Sequence, residues 1–199
     1  MSFPVTIGGG IDSSLLLYFM TKLFGKDIKT FTIALNETHP DYIYSKLISE
    51  YFEVSQDIYI PSSSIKHDGK YYGDNIVKAF YTYIKCKGIS EIIAGDGIDE
   101  FMCGYYMHQK APTNFTYYRY IRYLQSEQLI PLNKNSSDVS VYLPYLADSL
   151  IYLYTQIPLE EKVDYTARKK VLINMAKGKL PEEIINRRKY GFCDALSIK

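Results

Sequence analysis

Residues 3–14 read FPVTIGGGIDSS, a short apolar strand that runs straight into three glycines and, shortly after, two serines. The run that follows, residues 13–24, has helical length and few breakers, and Gly25 ends it. Glycines at such a turn let the backbone bend sharply and approach a ligand closely. Because the unpaired N–H groups at a helix N-terminus attract phosphate, this stretch predicts a loop that grips phosphate.

Three alternatives compete with this interpretation of residues 8–14. A Walker P-loop needs a lysine after its glycines, and none follows here. A Rossmann fingerprint needs a third glycine at the position of Ser13. The third alternative is a glycine turn that merely connects a strand to a helix. Asp12 would repel a bare phosphate, so a phosphate site here predicts Mg²⁺ between that carboxylate and the phosphate.

Strands and helices alternate along the first half of the chain. Further β-rich runs lie at residues 29–35, 56–60 and 91–94, and helical runs at residues 41–52 and 75–87. This alternation indicates βαβ units, a parallel sheet and helices on both of its faces.

After Gly104 helical stretches dominate the sequence. They lie at residues 115–128, 145–156, 166–177 and 181–188. Residues 132–140, rich in Asn and Ser, are the best candidate for a loop or a domain boundary. The sequence therefore predicts an α/β nucleotide-binding core over residues 1–110 and a helical C-terminal extension over residues 111–199.

A second glycine loop, residues 95–100 (GDGIDE), follows the fourth predicted strand. Open α/β sheets bind ligands at the carboxyl ends of their strands, so this loop is expected to face the first one. Three carboxylates within five residues repel one another and are costly to hold together without a cation. An acidic surface turn is the alternative, but the position after a core strand favours a metal-binding or base role.

Composition and charge argue against several classes of protein. The net charge of +1 gives no general argument for binding nucleic acid or membranes. Cys86, Cys103 and Cys193 form no CxxC pair, which argues against a zinc site or a disulfide framework and fits a reducing cytoplasm. We expect neither a signal peptide nor a membrane span. Residues 166–199 carry nine Lys or Arg against three Asp or Glu, which suits an anionic ligand or a solvated basic helix.

Several segments resemble one known family. Residues 9–14 (GGIDSS) resemble the SGGxDSS loop of the N-type ATP pyrophosphatases, or PP-loop proteins. Residues 95–100 with Gly104 and Tyr105 resemble the GEGxDE…GGY segment of the synthetase domain of asparagine synthetases. Further matches follow in the same order at residues 142–146 (YLPYL), 157–158 (IP), 169–172 (KKVL), 177–184 (KGKLPEEI) and 188–192 (RKYGF). Each motif is weak alone, but the ordered set spans nearly the whole chain.

The resemblance implies an adenine nucleotide alpha hydrolase-like (HUP-type) fold and an ATP-dependent, AMP-forming amide ligase. In such an enzyme ATP adenylates a carboxylate, and an amine or ammonia then displaces AMP. Carried over to this sequence, the ATP and pyrophosphate contacts would be Ile7, Gly8, Gly9, Gly10, Asp12, Ser13, Ser14, Ile33 and Gly95. Asp12 and Asp99 would bind Mg²⁺, while Lys169, Lys189 and Asp96 would be catalytic.

The sequence departs from the family pattern at four positions. Gly8 stands where the family has a serine, and Asp96 where it has a glutamate, one methylene longer. Ala147 replaces an aspartate and Ile173 an arginine. A second hypothesis is therefore a catalytically degenerate nucleotide-binding paralogue that acts as a sensor or partner protein.

Two further expectations concern partners. No glutaminase domain precedes the first predicted strand, so an enzyme would take free ammonia, another amine, or nitrogen from a separate donor protein. A third hypothesis, an ATP pyrophosphatase acting on tRNA or another nucleic acid, is disfavoured by the lack of a CxxC pair and of general positive charge. The sequence does not indicate an oligomeric state.

Overall fold

A computed structural model of the protein describes residues 2–62 and 72–189. Cys193 and residues 190–192 of the last motif lie outside the described residues. A five-stranded sheet forms the centre, with strands β1 (Phe3–Thr6), β2 (Ile28–Ile33), β3 (Ser55–Tyr59), β4 (Glu91–Ile93) and β5 (Ser140–Tyr142). The strand order is β3-β2-β1-β4-β5, and every pair is parallel.

The strand order reverses at the central strand β1: β2 and β3 lie on one side of it, and β4 and β5 on the other. Val5 of β1 pairs with Thr30 of β2 on one side and with Ile93 of β4 on the other. Because all strands are parallel, their carboxyl ends meet at one edge. The crevice beside β1 is a topological switch point, the usual ligand position in open α/β sheets.

Helices cover both faces of this sheet. They are α1 (Ile11–Phe24), α2 (Pro40–Tyr51), α3 (Tyr72–Cys86), α4 (Ile98–Phe101), α5 (Tyr106–Lys110), α6 (Asn114–Leu124), α7 (Ile130–Asn135), α8 (Asp148–Gln156), α9 (Leu159–Lys162), α10 (Lys170–Ala176) and α11 (Glu182–Ile185). A π-helical turn (Gln125–Leu129) joins α6 to α7, and a 3₁₀ turn (Pro144–Leu146) precedes α8.

Two apolar layers hold the helices to the sheet. One layer joins Val5 and Ile28 to buried residues of α1, α2, α10 and α11. The other joins Phe31 and Ile92 to buried residues of α3, with Leu132 of α7 packed against it. Strand β2 is mostly buried, whereas the edge strands β3 and β5 are half-buried or exposed. The predicted α/β class, with a parallel sheet and a largely helical second half, is confirmed.

The predicted loop at residues 132–140 is wrong over part of its length. Residues up to Asn135 are helical, because α7 continues from α6 and packs Leu132 against the α3 layer. The strand β5, which begins at Ser140, was not predicted, since three residues of mixed polarity carry too little pattern. β5 adds a strand from the second half of the chain to the sheet, and the division at residue 110 stays a prediction.

The predicted helix over residues 166–177 begins too early. The Asp164 carboxylate accepts hydrogen bonds from the backbone N–H groups of Thr166 and Ala167, both at 2.8 Å, and these bonds favour a turn instead. Lys169 then adopts a left-handed conformation with φ of 54°, and α10 begins only at Lys170. The predicted helix over residues 181–188 is likewise shorter, ending at Ile185. Within residues 2–62 and 72–189, no helix is long and apolar enough to cross a membrane.

Candidate functional site

The carboxyl ends of the central strands open into a cavity of about 800 Å³. Three segments contribute most of its charged lining: the first loop (residues 7–14), the second loop (residues 95–105) and the basic segment (residues 168–189). Further polar residues, among them Asp41, Gln109 and Asn135, come from neighbouring helices. The sequence-predicted residues that line it are Ile7, Gly8, Gly10, Asp12, Ser13, Ile33, Gly95, Asp96, Asp99, Lys169 and Lys189. Gly9 and Ser14 are not among the lining residues; Gly9 packs on α2, and Ser14 is fully buried.

The first loop takes its shape from Gly9. This residue has φ of 68°, and a Cβ there would overlap the backbone of Tyr44 in α2, so only glycine fits. Ser13 fixes the turn by donating from Oγ to the Gly10 carbonyl at 3.2 Å. Gly10, the residue before α1, has no side chain to cap the helix. The amino end of this 14-residue helix therefore presents N–H groups to the cavity and favours an anion there.

The second loop places Asp99 close to the first loop. Gly97 has φ of 91°, and the Leu146 side chain occupies the space that a Cβ at this position would need. The turn closes where the Gly104 N–H donates to the Asp99 carbonyl at 2.7 Å. Arg168 donates to the Gly104 carbonyl at 2.8 Å, which ties the loop to the basic segment.

Two lysines and two carboxylates form a compact charge network in the cavity. The Lys169 ammonium donates to Asp12 and lies 2.5 Å from Oδ1 of Asp99. Lys189 donates to the other oxygen of Asp99. All four side chains are at most 20% exposed. The network thus joins the residues predicted for metal binding to the two lysines predicted to be catalytic.

The charges within this network shift the pKa values of its members. Burial alone would raise the pKa of Asp99, but Lys169 and Lys189 lower it well below its usual range. Burial opposes the charge on Lys169, yet Asp12 and Asp99 raise the pKa of its ammonium. Burial and the neighbouring Lys169 lower the pKa of Lys189. Lys169 is therefore a firmly charged centre between two carboxylates.

A divalent cation is chemically compatible with Asp12 and Asp99. The two carboxylates already converge on one cationic group, and Oδ1 of Asp12 is buried without a hydrogen-bond partner among the described residues. Over the same residues, no three His, Cys, Asp or Glu side chains are grouped to hold a metal. Mg²⁺ here would need phosphate oxygens and water to complete its ligands, and it stays a prediction.

Asp96 and Glu100 form the acidic side of the cavity. Asp96 is exposed to the cavity, and desolvation by the surrounding protein walls, followed by repulsion from Asp99, raises its pKa. Burial also raises the pKa of Glu100, which accepts a hydrogen bond from the Tyr105 hydroxyl at 2.6 Å. The Tyr105 ring lies 4.8 Å from the Lys189 ammonium. A carboxylate with a raised pKa is better suited to accept a proton near neutral pH.

Sequence reasoning missed two arginines and a histidine. Arg168 and Arg187 lie one and two residues before the predicted lysines, and only the excess of basic residues in this segment hinted at them. His108, 1% exposed, accepts at Nδ1 from the Tyr105 N–H at 3.2 Å. Burial, helped by Lys189 and opposed by Asp99, lowers the pKa of His108 to about 4. Nothing in the sequence marked His108, because its partners come from the folded second loop.

Comparisons with known proteins point to one family. The family model described as asparagine synthase matches residues 4–140 and 134–199. The probable glutamine-hydrolyzing asparagine synthetase of Acanthamoeba polyphaga mimivirus is 26% identical over 221 residues, covering 97% of this chain and 40% of that protein. The glutamine-hydrolyzing asparagine synthetase 2 of Oryza sativa subsp. japonica is 26% identical over 231 residues, covering 98% and 39%. The chain therefore spans about two fifths of the length of these relatives.

Among solved structures, the NH3-dependent NAD synthetase of Campylobacter jejuni, in complex with nitrate, superposes with a TM-score of 0.42. The two chains are 16% identical, and the match covers 90% of this chain and 88% of the other. At that level the likeness carries no conclusion about this protein.

Replacing Gly104 with alanine should damage the site by steric overlap. A Cβ at this position would overlap the Asp99 carboxylate and the Cε atom of Lys169. We expect Gly104→Ala to lower the free energy of unfolding by about 2 kcal/mol or more, measured by urea denaturation. Gly10→Ala is the matched control, because nothing lies within 4 Å of its added Cβ. Equal stability of the two variants would contradict the described packing.

His108 should make the protein sensitive to acid. The histidine protonates near 6.5 in the unfolded chain and at about 4 in the folded one, so the stability from its buried neutral form is complete above pH 6.5 and falls toward pH 4. Between pH 7 and pH 4 the wild type should lose about 3 kcal/mol more unfolding free energy than His108→Asn. Parallel stability curves for the two proteins in urea titrations would refute this assignment.

Proposed function

The chain belongs to the asparagine synthase family, and we propose that it is an ATP-dependent ligase that adenylates a carboxylate and transfers the acyl group to an amine or ammonia. One observation carries the proposal. Lys169 and Lys189 meet Asp12 and Asp99 in a cavity that also receives the amino end of α1. Such a cavity suits a polyphosphate and the negative charge that develops on it during reaction.

In the first step a carboxylate oxygen of the substrate attacks the α-phosphorus of ATP. The new P–O bond forms as the bond to pyrophosphate breaks, which leaves an acyl-adenylate. The N–H groups at the start of α1 would hold the pyrophosphate. Lys189 and Lys169 would stabilise the charge on the phosphoryl oxygens. Mg²⁺, if held by Asp12 and Asp99, would supply further charge neutralisation.

In the second step an amine or ammonia attacks the acyl carbon. The C–N bond forms, the C–O bond to AMP breaks, and the nitrogen gives up a proton. Asp96 is our candidate acceptor for that proton, because it faces the cavity and its pKa is raised. Its side chain is shorter than the family's glutamate, so the amine would lie closer to the second loop.

We also propose a cellular compartment and a nitrogen source for the reaction. Cys86 and Cys103 carry free thiols, which suits a reducing compartment such as the cytoplasm. The nitrogen would come from free ammonia, a small amine, or a separate donor protein. The carboxylate substrate is a small molecule.

A nucleotide-binding protein without turnover is the second candidate. Gly8 supplies no hydroxyl to the first loop, and Asp96 has less reach than a glutamate. Lys169 also occupies the space between the two carboxylates that a metal ion would share. Both candidates bind ATP, and they differ in whether pyrophosphate is released.

Pyrophosphate release decides between the two. Incubation with ATP, Mg²⁺, an amine or ammonium, and a panel of carboxylic acids should release pyrophosphate and AMP in equal amounts. Lys189→Ala should lower the rate about a hundredfold, because one transition-state contact is lost. Lys177→Ala, an exposed lysine outside the cavity, is the control and should keep the full rate. ATP binding without release across the panel would favour the second candidate, and absence of binding would reject both.

Gly8→Ser should strengthen ATP binding. The nearest neighbours of a Cβ at Gly8 are atoms of the Asp41 carboxylate, the closest at 3.7 Å, so a serine fits without strain. The added hydroxyl can donate one hydrogen bond to a phosphate, worth about fivefold in affinity by calorimetry. Gly8→Ala provides the same Cβ without the hydroxyl and should give no gain. A gain in both variants, or in neither, would place the phosphates elsewhere.

A further inference from the structure

Arg187 connects the first loop to α2. Its guanidinium donates to the Gly8 carbonyl in the first loop and to the Asp41 carboxylate in α2. The same group lies 4.8 Å from the centre of the Tyr44 ring, also in α2. The Arg187 side chain is only 5% exposed, so it is a built-in part of the fold.

These contacts fix the orientation of the first loop from its outer side. Gly8 has its N–H near Ser13 Oγ, at 3.4 Å, and its carbonyl on Arg187. Gly9 is packed against the Tyr44 backbone. A carbonyl oxygen held by a guanidinium cannot turn toward a phosphate, which it would repel. Arg187 therefore keeps the loop in an orientation suited to an anion.

Arg187 also determines where Lys189 lies. The two residues are separated by one position, so fixing Arg187 on the first loop limits the reach of the Lys189 side chain. Lys189 in turn pairs with Asp99, and its carbonyl lies 3.5 Å from the Tyr106 hydroxyl, which donates to it. Arg187 thus links the position of the first loop to that of Lys189.

We propose that Arg187 is a positioning residue that couples the geometry of the first loop to the placement of Lys189. The inference rests on the proposed function and adds a residue that acts through Gly8 and Lys189. Nη1 and Nη2 of the planar guanidinium are used at once, the first on the Gly8 carbonyl and the second on the Asp41 carboxylate. A lysine at this position has a single ammonium and cannot reproduce that paired geometry.

The test compares Arg187→Lys and Asp41→Asn with the wild type. Arg122→Lys, on the exposed side of α6 and outside the cavity, is the matched control. We expect Arg187→Lys to weaken ATP binding about tenfold by calorimetry and to lower kcat for pyrophosphate release. Asp41→Asn should change both quantities in the same direction, and it provides the test if Arg187→Lys does not fold. Arg122→Lys should match the wild type.

A double-variant experiment separates positioning from simple stability. If Arg187 acts through Lys189, adding Arg187→Lys to Lys189→Ala should lower kcat much less than it does in the wild type. Unchanged ATP affinity and kcat in Arg187→Lys, or a lower melting temperature with normal KM and kcat per folded molecule, would overturn the proposal. If the wild type binds ATP but releases no pyrophosphate, the ligase proposal fails while the affinity comparison still tests Arg187. A wild type that binds no ATP overturns both.

Discussion

Two largely buried carboxylates are costly to keep ionised side by side without cations between them, and this constraint organises the site. Asp12 follows β1 and Asp99 follows β4, so the parallel sheet brings them to the same edge. Lys169 and Lys189 provide the compensating charge from the other end of the chain. Removing one partner of a buried ion pair typically costs about 3–5 kcal/mol, so the pairs fasten the C-terminal segments to the sheet.

The cations and most of the carboxylates of the cavity come from different parts of the chain. Among the described lining residues, all the cations come from residues 168–189. Carboxylates such as Asp12, Asp96 and Asp99 come from the loops of the sheet. Asp12 and Asp99 of the loops pair with Lys169 and Lys189 of the later segment, so both parts are needed to balance the charge in the cavity. The helical second half is therefore as much a part of the site as the sheet.

The local sequence pattern was enough to predict the parallel sheet and both glycine loops, because the alternation of strand, loop and helix depends on consecutive residues. It was not enough for the short strand β5, whose pairing depends on β4 and not on its own three residues. The candidate site divides in the same way. Asp12, Asp99, Lys169 and Lys189 were predicted from motifs, and the structure brings all four together. Arg187 was missed because its acceptors, Gly8 and Asp41, lie 179 and 146 positions away.

The left-handed backbone of Lys169 has a consequence for how this protein tolerates change. A residue with a Cβ pays on the order of 1 kcal/mol for that conformation, and glycine does not. The ion pairs with Asp12 and Asp99 oppose this strain in the folded protein. At position 169 the left-handed backbone therefore favours glycine, whereas the ion pairs require lysine. Lys169→Gly would relieve about 1 kcal/mol of strain but leave Asp12 and Asp99 without their shared cation, at a cost of about 3–5 kcal/mol, so selection for heat resistance alone would also keep the lysine.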